Sequence, residues 1–356
     1  MVAPLPPPTH GAAVVSEAVV SLLGDSAEVV NTAGSGKGLY YLLSRLGLHV
    51  RAVVRLASLR VSGQRPNLYV AGAGGAGLWY QAALLLAARL CGTATFFHHH
   101  SYAYLYAPAR AMRVLVAVGG TRTTHVALCP DMRSRLQKLY PAARNVVVCS
   151  NETLVASRQP DTSRGRRDMH DPVVHLAHLS NLSVEKGLRL VLTMTTKLVR
   201  AGLPVRLHLA GPCADSASQR LLDEAERDLG DVALTYHGPL RREEVAAFFA
   251  LADVFLFPST YKNEAEPLVV LEALRAGVPV ISFPVGCLVC LPPMDSSAPP
   301  PRTDDDFQRA VRSLVSAFQG DASPAHYREE LGRRAGLMSS QFLVYSSFDL
   351  IKELKR

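Results

Sequence analysis

The sequence is first informative for what it lacks. Arg, Gly or Pro interrupts every apolar run before it reaches about 18 residues, the length a membrane-crossing helix needs. The opening MVAPLPPPTHG has no basic stretch ahead of an apolar one, so no secretory signal is read and a cytoplasmic location is expected. Cys91, Cys129, Cys149, Cys213, Cys287 and Cys290 include one C-x-x-C, CLVC, but no second, so buried thiols are expected rather than a metal or redox site. Nor is there a basic block interleaved with aromatics. The formal charge of +8 is spread along the chain, and its densest cluster, SRGRRDMH at 163–170, reads as a solvated linker. No nucleic-acid partner is therefore expected, whereas a basic excess suits an enzyme whose ligand carries a diphosphate.

Two glycine-rich stretches fail as nucleotide motifs. AGSGKG at 33–38 has Asn31 where a P-loop has its first glycine, and Gly38 rather than Ser or Thr after Lys37. AGAGGAG at 71–77 has no acidic ribose partner at the expected distance. Asp304, Asp305 and Asp306 read as the start of a helix, not as metal ligands.

With 356 residues, 48% of them apolar, the chain is long enough for two packed domains. Short apolar strands alternate with helical patterns, the signature of parallel sheets covered by helices. Strands are expected at 27–32, 68–72, 93–99, 125–129 and 145–150, and helices near 11–23, 38–60, 78–90 and 130–139. After a polar segment at 157–171 the alternation restarts with PVVHLAHL. We therefore expect domains at 1–160 and 172–338, a Pro-rich loop at 291–306 and an amphipathic closing helix at 339–356. Ligands of such sheets bind beyond the carboxyl ends of the strands.

In NEAEPLVVLEALRAGVPVIS, residues 263–282, Pro267 marks a helix start and Gly277 with Pro279 its end. First-turn amides make a site for phosphate or sugar oxygens, and Glu264 and Glu272 at this spacing could grip the two sugars of a nucleotide-sugar. The same spacing also fits ordinary surface carboxylates near a helix start, Glu266 included. Lys186-Gly187, at a strand-to-helix turn, could lay an ammonium against a phosphate or could simply be solvated. In FFHHHSYAYL, His98 and His100 point to one side of an extended chain and His99 to the other, with no third metal ligand apparent. Gly11, after a very short first strand, is a candidate for close approach of backbone to ligand. The helical segment 38–60, with arginines along an apolar sequence, permits peripheral contact with an anionic membrane or forms core.

Taken together, Lys186, the Gly211-Pro212 turn and FLFPSTYKNEAEPLVVLEALRAGVPVI resemble the C-terminal domain of retaining family 4 glycosyltransferases of the GT-B fold. PLPPPTHG, VVNTAGSGKG and NVVVCSNE extend the resemblance over nearly the whole chain. It implies two Rossmann-like α/β domains facing each other across a cleft, a nucleotide-sugar held mainly by the second, an acceptor held mainly by the first, and no obligatory metal. It implies that Glu272 binds the donor ribose, that Glu264 lies beside the transferred sugar, and that the backbone of Glu266, Pro267 and Leu268 meets sugar and phosphate. Pro267 has no amide hydrogen and contributes shape only. By the same resemblance Lys186 stabilises the departing diphosphate, while His100, with His98 second, contacts the sugar. Asn181 stands where the family has an arginine, so one cation of the phosphate clamp is missing unless Lys262 or Arg241 replaces it.

The expected activity is retaining, metal-independent transfer of a hexose from a UDP- or GDP-linked sugar to a sugar-containing or lipid-linked acceptor, with no further cofactor. A GT-B sugar-nucleotide epimerase and a catalytically inactive nucleotide-sugar-binding protein are the alternatives.

Overall fold

The computed structural model describes residues 1–7, 10–33, 38–155, 168–294, 299–320, 323–345 and 348–355. Most of the expected linker at 157–171, the AGSGKG turn and the middle of the Pro-rich loop lie outside the described residues. The chain packs as two units. One comprises Met1–Arg158, Lys262–Glu266 and Phe342–Arg356, the other Gln159–Tyr261 and Pro267–Gln341.

The first unit runs β1 (Val2–Ala3), α1 (Gly11–Leu23), β2 (Val30–Asn31), α2 (Gly38–Val61), β3 (Leu68–Gly72), α3 (Gly77–Leu90), β4 (Thr95–His99), α4 (Ala103–Tyr106), α5 (Arg110–Gly119), β5 (Thr123–Ala127), α6 (Pro130–Leu139), β6 (Asn145–Val148) and α7 (Asn151–Val155). All six strands are parallel, in the order β2-β1-β3-β4-β5-β6. The second unit runs β7 (Val174–Leu179), α8 (Leu188–Arg200), β8 (Val205–Ala210), α9 (Ser216–Ala233), β9 (Leu234–Tyr236), α10 (Val245–Phe249), β10 (Val254–Phe257), α11 (Leu268–Arg275), β11 (Val280–Ser282), α12 (Asp304–Gly320) and α13 (Pro324–Tyr345). Its parallel sheet has the order β11-β10-β7-β8-β9. A short α14 (Leu350–Leu354) follows and belongs to the first unit.

The sequence explains most of these elements. Every residue of β3, β4 and β7 is buried, as strands covered on both faces must be, the histidines of β4 and β7 included. Leu176, Leu207, Val254, Phe307 and Phe318 join one core in the second unit. Helix starts carry their caps: Asp215 accepts from the Ser218 amide at 2.7 Å to open α9. Thr303 and Asp306 bond each other's backbone amides at 3.1 and 3.2 Å, so the three aspartates open α12 as expected.

Three expectations are corrected. The tail is not one closing helix: 339–345 is the end of α13, and α14 starts separately, capped by Asp349. Pro267 is the N-cap of α11, with an extended ψ of 120°, rather than a residue of its first turn. Residues 103–119 form α4 and α5, which the alternation of strands did not reveal.

Candidate functional site

In each sheet the chain reverses its direction of winding once, and ligands of such sheets sit at that reversal, beyond the strand ends. In the second sheet the reversal lies between β7 and β10. The loop after β7 carries Asn181 and Lys186, and the loop after β10 begins at Pro258. Both are held tightly. Gly187 has φ 92°, and a Cβ there would lie 2.5 Å from the Pro258 ring. Gly211, φ 112°, would put a Cβ 1.8 Å from the Ser180 carbonyl oxygen, so no other residue fits this turn. The Thr260 amide donates to the Glu185 carbonyl at 2.8 Å, and the Leu182 amide to that of Pro212 at 2.8 Å.

On this frame the Lys186 ammonium lies 4.7 Å from the centre of the Tyr261 ring and 6.0 Å from that of Phe257. The aromatic walls shape where the cation sits. His178, which the sequence analysis did not single out, bonds the Leu256 carbonyl and the Ser180 hydroxyl, each at 2.9 Å. Burial lowers its pKa to about 4, the nearby Lys186 charge acting in the same direction, so it is a neutral brace under the Asn181 turn. Asn181 itself is exposed. No N-cap side chain bonds the start of α11, whose first-turn amides, Leu268 among them, have no acceptor within the helix. Glu272 lies a turn further in and is half-buried. Arg241, considered as a substitute cation, is engaged with Glu243 and Glu244 at 3.9 and 3.7 Å, and Lys262 is exposed.

In the first sheet the reversal lies between β1 and β3. Gly11 is the first residue of α1, and nothing lies within 4 Å of a Cβ placed on it, so the space beside this backbone is open. The end of β4 brings the histidines together as alternation predicts. The His98 and His100 rings stand 4.3 Å apart, while His99 turns the other way to bond Tyr104 at 2.7 Å and His125 at 3.2 Å. His98 is fixed by the Tyr69 hydroxyl at 2.9 Å. The Nε2 atoms of His98 and His100 are buried and have no hydrogen-bond partner among the described residues. Burial holds His98 and His99 well below the ordinary histidine range, and lowers His100 to about 3 with His10 contributing. These rings are neutral near pH 7, and each can donate one hydrogen bond and accept one.

The segment Lys262–Glu266 packs in this first unit. Ser101 donates from its hydroxyl to the Asn263 side chain at 2.8 Å. The Glu266 carboxylate is buried and accepts from the Ser150 hydroxyl at 2.8 Å and the Asn151 amide at 2.5 Å, at the start of α7. Its side chain thus docks on protein, leaving only its backbone for a ligand. Glu264, half-buried, stands between these two anchors. Sequence reasoning missed both anchors, because each joins residues more than a hundred positions apart.

Residues 173–317 match the family described as glycosyl transferases group 1. A GDP-mannose-dependent alpha-(1-6)-phosphatidylinositol dimannoside mannosyltransferase of Mycobacterium tuberculosis is 29% identical over 160 residues, 45% of this chain and 38% of that protein. A sulfoquinovosyl transferase of Arabidopsis thaliana is 30% identical over 118 residues, 33% of this chain and 21% of that protein. The chain therefore aligns with well under half the length of these curated relatives. Among solved structures, the catalytic domain of starch synthase IV from Arabidopsis thaliana, bound to ADP and acarbose, superposes with a TM-score of 0.63 at 14% identity, over 90% of this chain and 78% of that one. HepE of Anabaena, in complex with UDP and glucose, does so with a TM-score of 0.58 at 13% identity, over 92% and 83%. Residues 173–317 are thus a glycosyl transferases group 1 domain, carried on a chain with the GT-B glycosyltransferase fold.

Proposed function

We propose that the protein is a retaining hexosyltransferase that moves a sugar from a UDP- or GDP-linked donor to an acceptor hydroxyl without a metal. The observation that carries this reading is the arrangement at the β7–β10 reversal, where Lys186 on its aromatic wall and the uncapped start of α11 offer a cation and amide donors to one region. Such a region suits a diphosphate, which leaves with more charge than it carried in the ground state. Glu272 takes the ribose, Glu264 the transferred sugar, and the neutral His100 a sugar hydroxyl. In the step itself the acceptor oxygen bonds to the anomeric carbon on the face from which the phosphate oxygen departs. The acceptor proton passes to that oxygen, so no protein base is consumed.

The mannosyltransferase relative names GDP-mannose and a phosphatidylinositol dimannoside, which supports a lipid-linked acceptor and work at a membrane surface. HepE, crystallised with UDP and glucose, keeps a uridine donor open. The test is a thermal-shift panel of nucleoside diphosphates and their sugars without added metal, followed by acceptor-dependent release of the diphosphate from the donor that binds. Binding with no release on any acceptor would favour the inactive binding protein, for which Asn181 in place of arginine speaks. A changed sugar with no stoichiometric diphosphate would identify the epimerase. No stabilisation by any nucleotide would end the reading.

A further inference from the structure

In the first unit α2 packs on α3 and α3 on α5, giving a layer of three adjacent helices. None of the three contains an Asp or a Glu. Exposed Arg51, Arg55 and Arg60 lie on α2, Arg89 on α3, and Arg110 and Arg113 on α5. From outside the layer, Glu28 pairs with Arg55 at 2.8 Å. The layer also presents apolar side chains to solvent. Leu46, Val50 and Val54 recur every fourth residue along α2, with Val54 62% exposed. Trp79, Leu86 and Leu90 form a second stripe on α3, with Trp79 52% and Leu90 79% exposed. These are not core positions facing the wrong way. The core-facing sides of the same helices are already filled by Ala52 and Leu56 on α2 and by Leu78, Leu84 and Leu85 on α3.

A helix surface that is apolar beyond what its core requires, rimmed by arginine and built from helices with no acidic residue, matches the interfacial zone of a negatively charged bilayer. Tryptophan favours the same zone. A nucleic acid would recruit the arginines but gain nothing from exposed valine and leucine. No described helix is long and apolar enough to cross a membrane, so the contact is peripheral. We propose that the α2–α3–α5 face docks on an anionic lipid bilayer, with the aliphatic stripes of α2 and α3 entering the headgroup region and the arginines meeting lipid phosphates. This rests on the surface alone and stands apart from the sugar-transfer reading, since it uses none of the residues assigned to that site.

Trp79 is the only tryptophan in the chain and reports on this face directly. With vesicles of phosphatidylglycerol in phosphatidylcholine at low salt, the protein should sediment with the lipid and Trp79 emission should move to shorter wavelength. Raising the salt to about 0.5 M should weaken both, because exposed charges are then screened. Val50→Asp with Val54→Asp should reduce vesicle binding at least tenfold. Arg51→Glu with Arg60→Glu should reduce it about five-fold or more per arginine, and provides the test if the first pair fails to fold. Arg227→Glu, on α9 of the second unit, should change nothing. The proposal is overturned if folded protein neither sediments nor shifts its Trp79 emission, or if it binds pure phosphatidylcholine equally well. Burial of Trp79 in a concentration-dependent dimer without lipid, or salt-sensitive binding to DNA in place of vesicles, would equally overturn it.

Discussion

The two sheets end in opposite chemistry. Near the reversal of the second sheet the backbone is locked by Gly187 and Gly211, and the groups presented are a lysine and helix amides, which suit an anion. At the reversal of the first sheet the turn is open beside Gly11, and one strand further, at the end of β4, stand imidazoles kept neutral by burial, which suit hydroxyls. Two parallel α/β sheets thus present two different kinds of polar groups at their strand ends. The strand orders differ, β2-β1-β3-β4-β5-β6 against β11-β10-β7-β8-β9, and so do the side chains at the strand ends.

The largest expected effect breaks the second site outright. Gly211→Ala forces a Cβ against the Ser180 carbonyl at a left-handed φ and should cost more than about 4 kcal/mol, seen as loss of cooperative melting or insoluble expression. Next comes acid, which should act most strongly on the first unit. The folded forms of His98, His99, His100 and His125 all have lowered pKa values, about 3 for His100 and about 4 for His125, through burial. The unfolded chain takes up protons near pH 6.5 while the folded chain does not. Their contribution is thus complete above about pH 6.5 and is lost as the pH falls toward 4, by up to about 1.4 kcal/mol per pH unit for each ring. Hydrogen exchange at pH 5 should show first-unit strands losing protection before those of the second unit, where His178 is a comparable buried ring. The opposite order would sink the contrast drawn between the units.

Lys186→Ala should lower kcat about a hundredfold while leaving donor affinity closer to normal, if its charge acts chiefly on the leaving diphosphate. An equal loss in affinity alone would place the cation in binding rather than in the transfer step. The smallest effect sharpens the role of the Lys262–Glu266 segment. Glu266→Gln turns one acceptor at the start of α7 into a donor facing the Asn151 amide or the Ser150 hydroxyl, and should cost roughly 1–3 kcal/mol. Transfer should fall with it, because Glu264 loses one of its two anchored neighbours, and stability and rate measured on the same preparation would check both.

Much of this molecule was readable as pattern. Helices 11–23 and 130–139 were read with the ends they have, because Gly24 and Pro130 mark them and their apolar residues recur at helical spacing. The divergence of His98 and His100 from His99 followed from the two-residue period of a strand. Residues 103–119 were unreadable for the converse reason: α4 is a single turn, and Pro108 separates it from α5, so no long periodic stretch advertises either. The resemblance placed Glu266 by its backbone, while its side chain, which bonds Ser150 and Asn151, gave no local cue.

By itself, then, the sequence determined the parallel α/β architecture, the position of Lys186 and His100 in turns after strands and of Glu272 inside a helix, and the glycines at the tight turns. All of these depend on period, on φ, or on short-range order along the chain. Only the tertiary structure decided that burial keeps the histidines neutral, that Tyr261 and Phe257 flank the Lys186 ammonium, and that Glu266 is spent on α7. Solvation and hydrogen-bond partners are properties of the packed neighbourhood, assembled from residues that the chain order keeps far apart.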